Sequence, residues 1–406
     1  FLPDFQKMPK SIDWTLGIQH TFWSDYTFEI RYLGTRGIHL PAQIQLNKQP
    51  KVTASNSLPT FFTAPDQATV DASTTSLADV QAGNSAVVPA FANAGFTSTI
   101  TSYQPWASST YHGLATQLTK RFSHGLQGVL AYTYSHNIDD ATAEVFSTVL
   151  APRRAQNGLN LSADRANSIL DHRHRLTLTM IYDEPFFKNS NRFLKNTVGN
   201  WEIAPIYTYQ SGQWVTAQSV LDSNLNGDAA GDRPILNPAG AAGTGTGVVP
   251  LCRSVVPGAD CALGNVLCRG AATDAKSCPG DGVNIEGNVV GYAAKNSGAK
   301  YVQAGLGAIA NVGRNTLQLA PINDIDITAL KRFSITERFR IEFQVQAFNV
   351  FNHPQYVGGY LNDIAPLGFT GTERTMLEPQ NANFNHPSQV FASNARTLQL
   401  ALKIFF

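Results

Sequence analysis

The chain has 406 residues, and its Lys and Arg (30) nearly balance its Asp and Glu (29) for a net charge of +1. That balance leaves no basic footprint for nucleic acid, and charged residues make up only 15% of the chain against roughly 25% in a typical soluble protein. No run of about 18 apolar residues occurs, so no helix of this sequence spans a membrane; a chain poor in charge and rich in Phe, Tyr and Gly can still cross lipid as a closed β-barrel.

Residues 11–22 alternate, with Ile12, Trp14, Leu16 and Ile18 at period two, and predict a first strand. A short polar turn, 23–25, leads to a second alternating run at 26–33, closed by 34–40. Residues 41–110 are rich in Ala, Ser, Thr and Gly without a clear period and read as a long loop. The third and fourth strands, 111–122 and 126–135, flank Ser123-His124-Gly125, a tight glycine turn. In the fourth, Leu126, Gly128, Leu130, Tyr132 and Tyr134 form a face suited to lipid, with tyrosines at interface height. A loop at 137–170 follows.

The fifth strand is predicted at 172–183 and the sixth at 200–215, joined by a turn holding Pro185 and Gly199. Residues 216–321 form a long Gly-, Asn- and Ala-rich loop insertion that carries all four cysteines. The seventh and eighth strands, 323–333 and 338–350, are joined by 334–337. In the eighth, Phe339, Ile341, Phe343, Val345 and Ala347 face one way, and Arg340, Glu342, Gln344 and Gln346 the other. After a loop at 351–393 comes the ninth strand, 396–406. There Leu398, Leu400, Leu402, Ile404 and Phe406 share one face, opposite Thr397, Gln399, Ala401, Lys403 and Phe405. Its length suits a bilayer crossing of about 9–11 residues.

The connections alternate short and long. Outer-membrane barrels have short periplasmic turns and long external loops, whereas a globular sandwich has no reason to sort its loops by parity. The expected fold is therefore all-β, an antiparallel transmembrane β-barrel with long extracellular loops, placed in a bacterial outer membrane with lipid as its partner. Single-chain bacterial barrels have an even number of strands. Nine is odd, so residues 1–406 are expected to be the carboxyl-terminal part of a larger barrel or to be completed by another polypeptide.

Several groups of residues invite chemistry. Asp222, Asn224, Asn226 and Asp228, with Gly227 between the last two, match the first half of a calcium loop, which implies Ca2+. The twelfth position, which should be acidic, is Arg233, with Asp232 one place early. The alternative is a polar turn in which Asn, Asp and Gly supply left-handed conformations. Cys252, Cys261, Cys268 and Cys278 lie in one loop, too widely spaced for a zinc site. Two disulfides, in any of three pairings, are the expected arrangement, stapling a loop with little apolar content of its own. Trp14, Trp23, Tyr132, Tyr134, Tyr207, Tyr209, Phe405 and Phe406 read as interfacial girdle residues. Tyr103, Trp106 and Trp214, in or beside long loops, are candidates for ligand contact. His172 and His174 share a strand face, which permits a two-His metal site, but a polar rim serves as well. No local catalytic signature appears, so an enzyme is not expected.

The order of several segments resembles one family. Tyr32 to Leu40, Lys120-Arg121-Phe122-Ser123-His124-Gly125-Leu126, Ala131-Tyr132-Thr133-Tyr134-Ser135 and Asp171-His172-Arg173-His174-Arg175-Leu176 match it. So do Tyr209-Gln210-Ser211-Gly212-Gln213, Gly313-Arg314-Asn315 and the run from Gln346 to Gln355. They are similar to the carboxyl-terminal barrel half of the Oar-like branch of TonB-dependent outer-membrane receptors. Asp232-Arg233-Pro234, after its acidic stretch, fits the same pattern. Gln399, Ala401, Ile404 and Phe406 occupy the positions of the terminal signal read by the barrel-assembly machinery, with Ala401 where glycine is commoner.

The resemblance implies a barrel of about 22 strands and a plug, absent from this sequence, that contacts a TonB-type energy-coupling complex. Such a protein takes up an unidentified ligand. The rival expectation is a structural or adhesive surface barrel that binds a partner through its external loops and transports nothing.

Overall fold

The computed structural model describes residues 7–141, 154–187, 190–253, 289–336, 338–356, 373–391 and 393–406. Nine antiparallel strands pair with their sequence neighbours in one sheet. They are β1 (Lys10–Phe22), β2 (Tyr26–Gln45), β3 (Thr101–Ser123), β4 (Leu126–Asp139), β5 (His174–Asp183), β6 (Trp201–Gln210), β7 (Ile322–Ser334), β8 (Arg340–Phe348) and β9 (Thr397–Phe405). Each corresponds to one predicted strand. Among the described residues the sheet is not closed, because β1 and β9 each pair with one neighbour.

Cross-strand partners share a face, so the register carries each strand's alternation across the whole sheet. One row reads Phe28, Leu118, Leu130, Leu178, Tyr207 and Ile325 from β2 to β7. On the last two strands Ile341, Phe343 and Val345 lie opposite Ile404, Leu402 and Leu400. Among the described residues this face is left open: Leu402 is 63% exposed. The neighbouring row on the other face reads Gln19, Glu29, Gln117, Ala131, Thr177, Thr208 and Asp324. One side of the sheet is thus apolar and the other polar, as a wall between lipid and water requires.

Trp14 and Gly34 show why the apolar face tolerates a bare backbone. The Trp14 indole lies where a Cβ on Gly34 would stand, and its edge meets His112 with ring centroids 6.0 Å apart. The hairpin turns sit at one end. His124 (φ 52°) and Gly125 (φ 79°) both adopt left-handed backbone, the two-residue turn whose twist suits flanking strands. Trp23 and Ser24 do the same without glycine. The Asp25 carboxylate beside them accepts from Lys120 Nζ at 2.8 Å and from Ser123 Oγ, tying adjacent turns together.

At the other end the long connections fold on one another, and here the structure corrects the sequence reading. Strand β2 runs on to Gln45 and β3 starts at Thr101, so both extend well past the predicted 33 and 111. The intervening segment contains three short helices, Gln67–Asp71, Leu77–Ala82 and Pro89–Asn93. The second is held by a capping box between Ser76 and Asp79. Strand β6 ends at Gln210, and Trp214–Val215 pairs instead with Leu317–Gln318.

Contrary to the expectation of a loop with little apolar content, the 216–321 insertion contributes to two apolar clusters. Its Val248, Val289 and Val302 pack with Leu58, Leu77 and Val80 of the first long connection. Strand Val289–Ala294 pairs in parallel with Thr60–Phe61. On its other flank Val215 and Leu317 pack with Met376, Leu377 and Phe384 of the last connection. Period-two patterning marks only segments with one wet or lipid-facing side, so a small globular cap escaped it.

The two-faced sheet predicts an asymmetric response to charge. Leu130→Arg, on the apolar face near mid-strand, should destabilise the inserted barrel by about 2–4 kcal/mol, whereas Ala131→Arg, on the polar face, should cost far less. The heat-shifted electrophoretic mobility of the full-length protein, compared for the two variants, reads the difference.

Candidate functional site

The candidate site lies where the cap meets the strand ends. Asp139 closes β4 and is 4% exposed. It pairs with the equally buried Arg314, whose guanidinium also donates through Nε to the backbone oxygen of Asp164 at 2.8 Å. Asp164, on a 3-10 turn at Leu161–Asp164, pairs in turn with Arg233. Two buried ion pairs therefore link one strand end, the second long connection and two distant parts of the 216–321 insertion. Removing one partner of such a pair costs about 3–5 kcal/mol, because the other charge is left buried alone. The motifs Asp-Arg-Pro and Gly-Arg-Asn, noted from the sequence without a role, supply both arginines.

Neighbouring motif residues do similar work. Asn315 donates from Nδ2 to the Asn167 backbone oxygen at 2.6 Å and accepts from Thr216 Oγ1 at 2.7 Å. Asp171 is fully buried and accepts from Asn137 N, Arg173 Nε and Trp214 Nε1, at 2.7, 2.8 and 3.1 Å. Gly212 has no substitute, since a Cβ there would collide with the Leu319 backbone oxygen. Asn349, in left-handed backbone with φ 49°, donates to the backbone oxygens of His353 and Asn394. Gln355 exchanges both its amide atoms with the backbone of Asn323.

The candidate calcium residues sit in this region. Asp222 accepts from the backbone N–H of Asn226 and Gly227 at 3.0 and 2.8 Å. Asp228 forms an ion pair with Arg154 and accepts from Gln45 Nε2. Asn226 Oδ1 accepts from Asp228 N. Asn224 donates to Asp232 Oδ1 at 2.7 Å and to the Gln156 backbone oxygen at 3.2 Å. These oxygens are engaged by protein donors. Among the described residues no group of three or more His, Cys, Asp or Glu is placed to hold a metal. Burial, aided by the charge of Asp222, pushes the Asp232 carboxyl up to about 8. Burial and the nearby charge of Arg314 bring Arg233 down to about 9, so it still carries its proton at neutral pH.

The three aromatic candidates are less free than their positions suggested. Tyr103 and Trp106 lie within β3, and the Tyr103 hydroxyl accepts from Gln43 Nε2 at 2.8 Å. The Trp106 indole N–H is buried without a hydrogen-bond partner among the described residues, and Trp214 is tied to Asp171. Cys252 is 1% exposed at the end of a cap strand; Cys261, Cys268 and Cys278 lie outside the described residues. His172 hydrogen-bonds the Ser211 backbone oxygen and His174 the Tyr132 hydroxyl, both at 2.8 Å, so the two do not converge on one partner. Gln399 and Ala401 fall on the polar face of β9, Ile404 on its apolar face, and Phe406 is 99% exposed.

Among the described residues, two of the cavities at this level are roomy enough to matter. One of about 330 Å3 is lined by His172, Gln210, Ser211, Gly212, Leu319 and Tyr356, among others. The other, of about 210 Å3, has Asp164, Asn224 and Arg233 in its lining. Sequence reading found neither, because cavity residues come from several connections with no common period.

Residues 1–399 match the family model described as an outer membrane beta barrel domain. No curated protein matches the chain. Among solved structures it is similar to the outer membrane transporter YddB from Escherichia coli, with TM-score 0.38, 7% identity, and coverage of 98% of this chain and 33% of that one. It is similar to the ferripyoverdine receptor of the outer membrane of Pseudomonas aeruginosa, with TM-score 0.37, 10% identity and coverage of 98% and 27%. For the copper transporter OprC the values are 0.35, 8%, 99% and 31%. The chain spans about a third of the length of those proteins or less.

Asp232 yields a pH prediction. The unfolded chain loses this proton near 3.8, the folded protein only near 8. The folded state binds more protons between those values, so Asp232 makes stability fall as pH rises from about 4 to about 8. Asp232→Asn should remove that fall. Relative to the unsubstituted protein, it should recover at least about 1 kcal/mol at pH 8, roughly 2–4 °C in Tm, in melts of the solubilised protein at pH 5 and pH 8.

Proposed function

The chain belongs to the outer membrane β-barrel domain family, and from that premise we propose that it is the carboxyl-terminal wall of an Oar-like, TonB-dependent receptor. In this reading the barrel takes part in energised uptake of a ligand met by the external cap. The observation that carries it is the sheet itself. Nine strands present an apolar outside and a polar inside, and the two edge strands each keep one side unpaired among the described residues. Backbone groups cannot stay unpaired in lipid, so further strands complete the wall. A barrel of about 22 strands is wide enough to need a plug, and a plug is what an inner-membrane energy source can pull.

The roles of the parts follow. The polar face lines the path, where Arg332 of β7 faces Glu202 and Glu342, the latter at 3.4 Å. The cap is fixed to the rim by the Asp139–Arg314 pair and braced within itself by the Asp164–Arg233 pair, so whatever it binds is held over the path. No bond is made or broken in that mechanism. Strand β9, with Gln399, Ala401, Ile404 and Phe406, serves the barrel-assembly machinery. Two disulfides staple the insertion, a reading supported by Cys252 as a disulfide-bonded residue. The acidic loop around Asp222 acts as a polar turn, supported by its saturation with protein donors.

Capture of partners tests the proposal. Crosslinking of intact cells, followed by purification of the full-length protein, should recover a TonB-type protein. Recovery without one, alongside undiminished surface binding of a partner, would favour the adhesive reading instead.

A further inference from the structure

The cavity of about 210 Å3 lies between three external connections. Its floor is buried and polar, with Asp164 2% exposed, Arg233 3% and Asn224 7%. Its mouth is open, with Asn160, Ala163 and Ile309 exposed, and Val52 and Ala308 add apolar wall.

Charge comes first. Arg233 is paired with Asp164, so the floor holds an ion pair with no net charge to offer. A free carboxylate entering there would add a buried negative charge with no cation of its own, which is costly. Hydrogen bonding comes second. The Nε–H of Arg233 is buried and has no hydrogen-bond partner among the described residues. A buried donor left unpaired costs about 1–3 kcal/mol, which an oxygen from a bound molecule would relieve. Gln156, Asn157 and Asn160 also line the cavity. Asn157 Oδ1 accepts from Leu159 N at 2.9 Å and Asn160 Oδ1 from Ser162 Oγ at 2.8 Å. Their oxygens are held by their own loop, so what these side chains offer a visitor is the NH2 end. Size comes third. Pockets for drug-sized ligands run from about 300 to 1,000 Å3, and this one suits a single small ring.

We propose that this cavity binds one neutral sugar residue, whose hydroxyl or acyl oxygens accept from Arg233 Nε and from the carboxamides at the rim. The apolar patches on Val52, Ala308 and Ile309 would meet the C–H faces of the ring. The proposal rests on the reading that the cap meets a ligand, and it does not need transport.

Saturation-transfer NMR on the full-length protein in detergent tests it. Glucose, galactose and N-acetylglucosamine are the probes, with lactate as the anionic control. At least one sugar should receive saturation. Ala163→Trp, which fills the mouth and leaves the ion pair in place, should cut that transfer by about tenfold, equivalent to about 1.4 kcal/mol. Leu159→Trp, on an exposed residue outside the cavity lining, should leave it unchanged, and unaltered melting of both variants guards against misfolding. No transfer to any of the three sugars, transfer untouched by Ala163→Trp, or transfer to lactate in preference to the sugars would each overturn the proposal. Binding without a captured TonB-type protein would keep this site and sink the transport reading; capture without binding would do the reverse.

Discussion

In a bilayer core a backbone N–H or C=O has no water to turn to, and each one left unpaired costs several kcal/mol. Everything in this chain between the turns and the cap follows from that. The strands pair continuously from β1 to β9, and their register keeps apolar side chains on one face over the whole width. The same constraint makes the two edges of the sheet informative. Lys10–Phe22 and Thr397–Phe405 each have a row of backbone groups facing away from their single described partner, and lipid is not an acceptable neighbour for either.

Outside the membrane the constraint relaxes, and different forces hold the chain. The long connections have apolar residues enough for small cores, such as Leu77 with Val248 and Met376 with Val215. Small cores alone would leave the cap loosely seated. Buried charge helps to seat it: Arg314 reaches Asp139 on a barrel strand and Arg233 reaches Asp164 on a neighbouring loop, beside hydrogen bonds such as Gln355 to Asn323 of β7. Such pairs add little net stability against an apolar replacement, yet they tolerate no partial loss. A wall and a cap built by different physics are therefore joined by contacts that set position more than strength.

The strands were legible in the sequence because each has one apolar and one polar side, and because turns such as His124-Gly125 carry their own chemistry. Strand ends were less legible. Past residue 33 in β2 and before 111 in β3 the apolar alternation dissolves, and the ladder of pairs from Gly34–His112 to Gln45–Thr101 reveals that the strands continue. The cap was illegible for a related reason, since its buried valines are scattered among Gly and Ala in no fixed period. The candidate site was half visible. Asp232-Arg233-Pro234 and Gly313-Arg314-Asn315 stood out as motifs, but their partners Asp164 and Asp139 carry no signal of their own. Asp222 to Asp228 matched a calcium pattern because Asx turns and cation loops both place side-chain oxygens on alternate residues.

The proposal that this nine-stranded wall belongs to a larger single-chain barrel stands on its two open edges. The intact mass of the native protein extracted from its membrane tests that most directly. A mass far above 44.0 kDa is predicted, with the remaining strands and the plug in the same polypeptide. A mass equal to that of these 406 residues alone would contradict it and would require the open edges of β1 and β9 to be met by another chain.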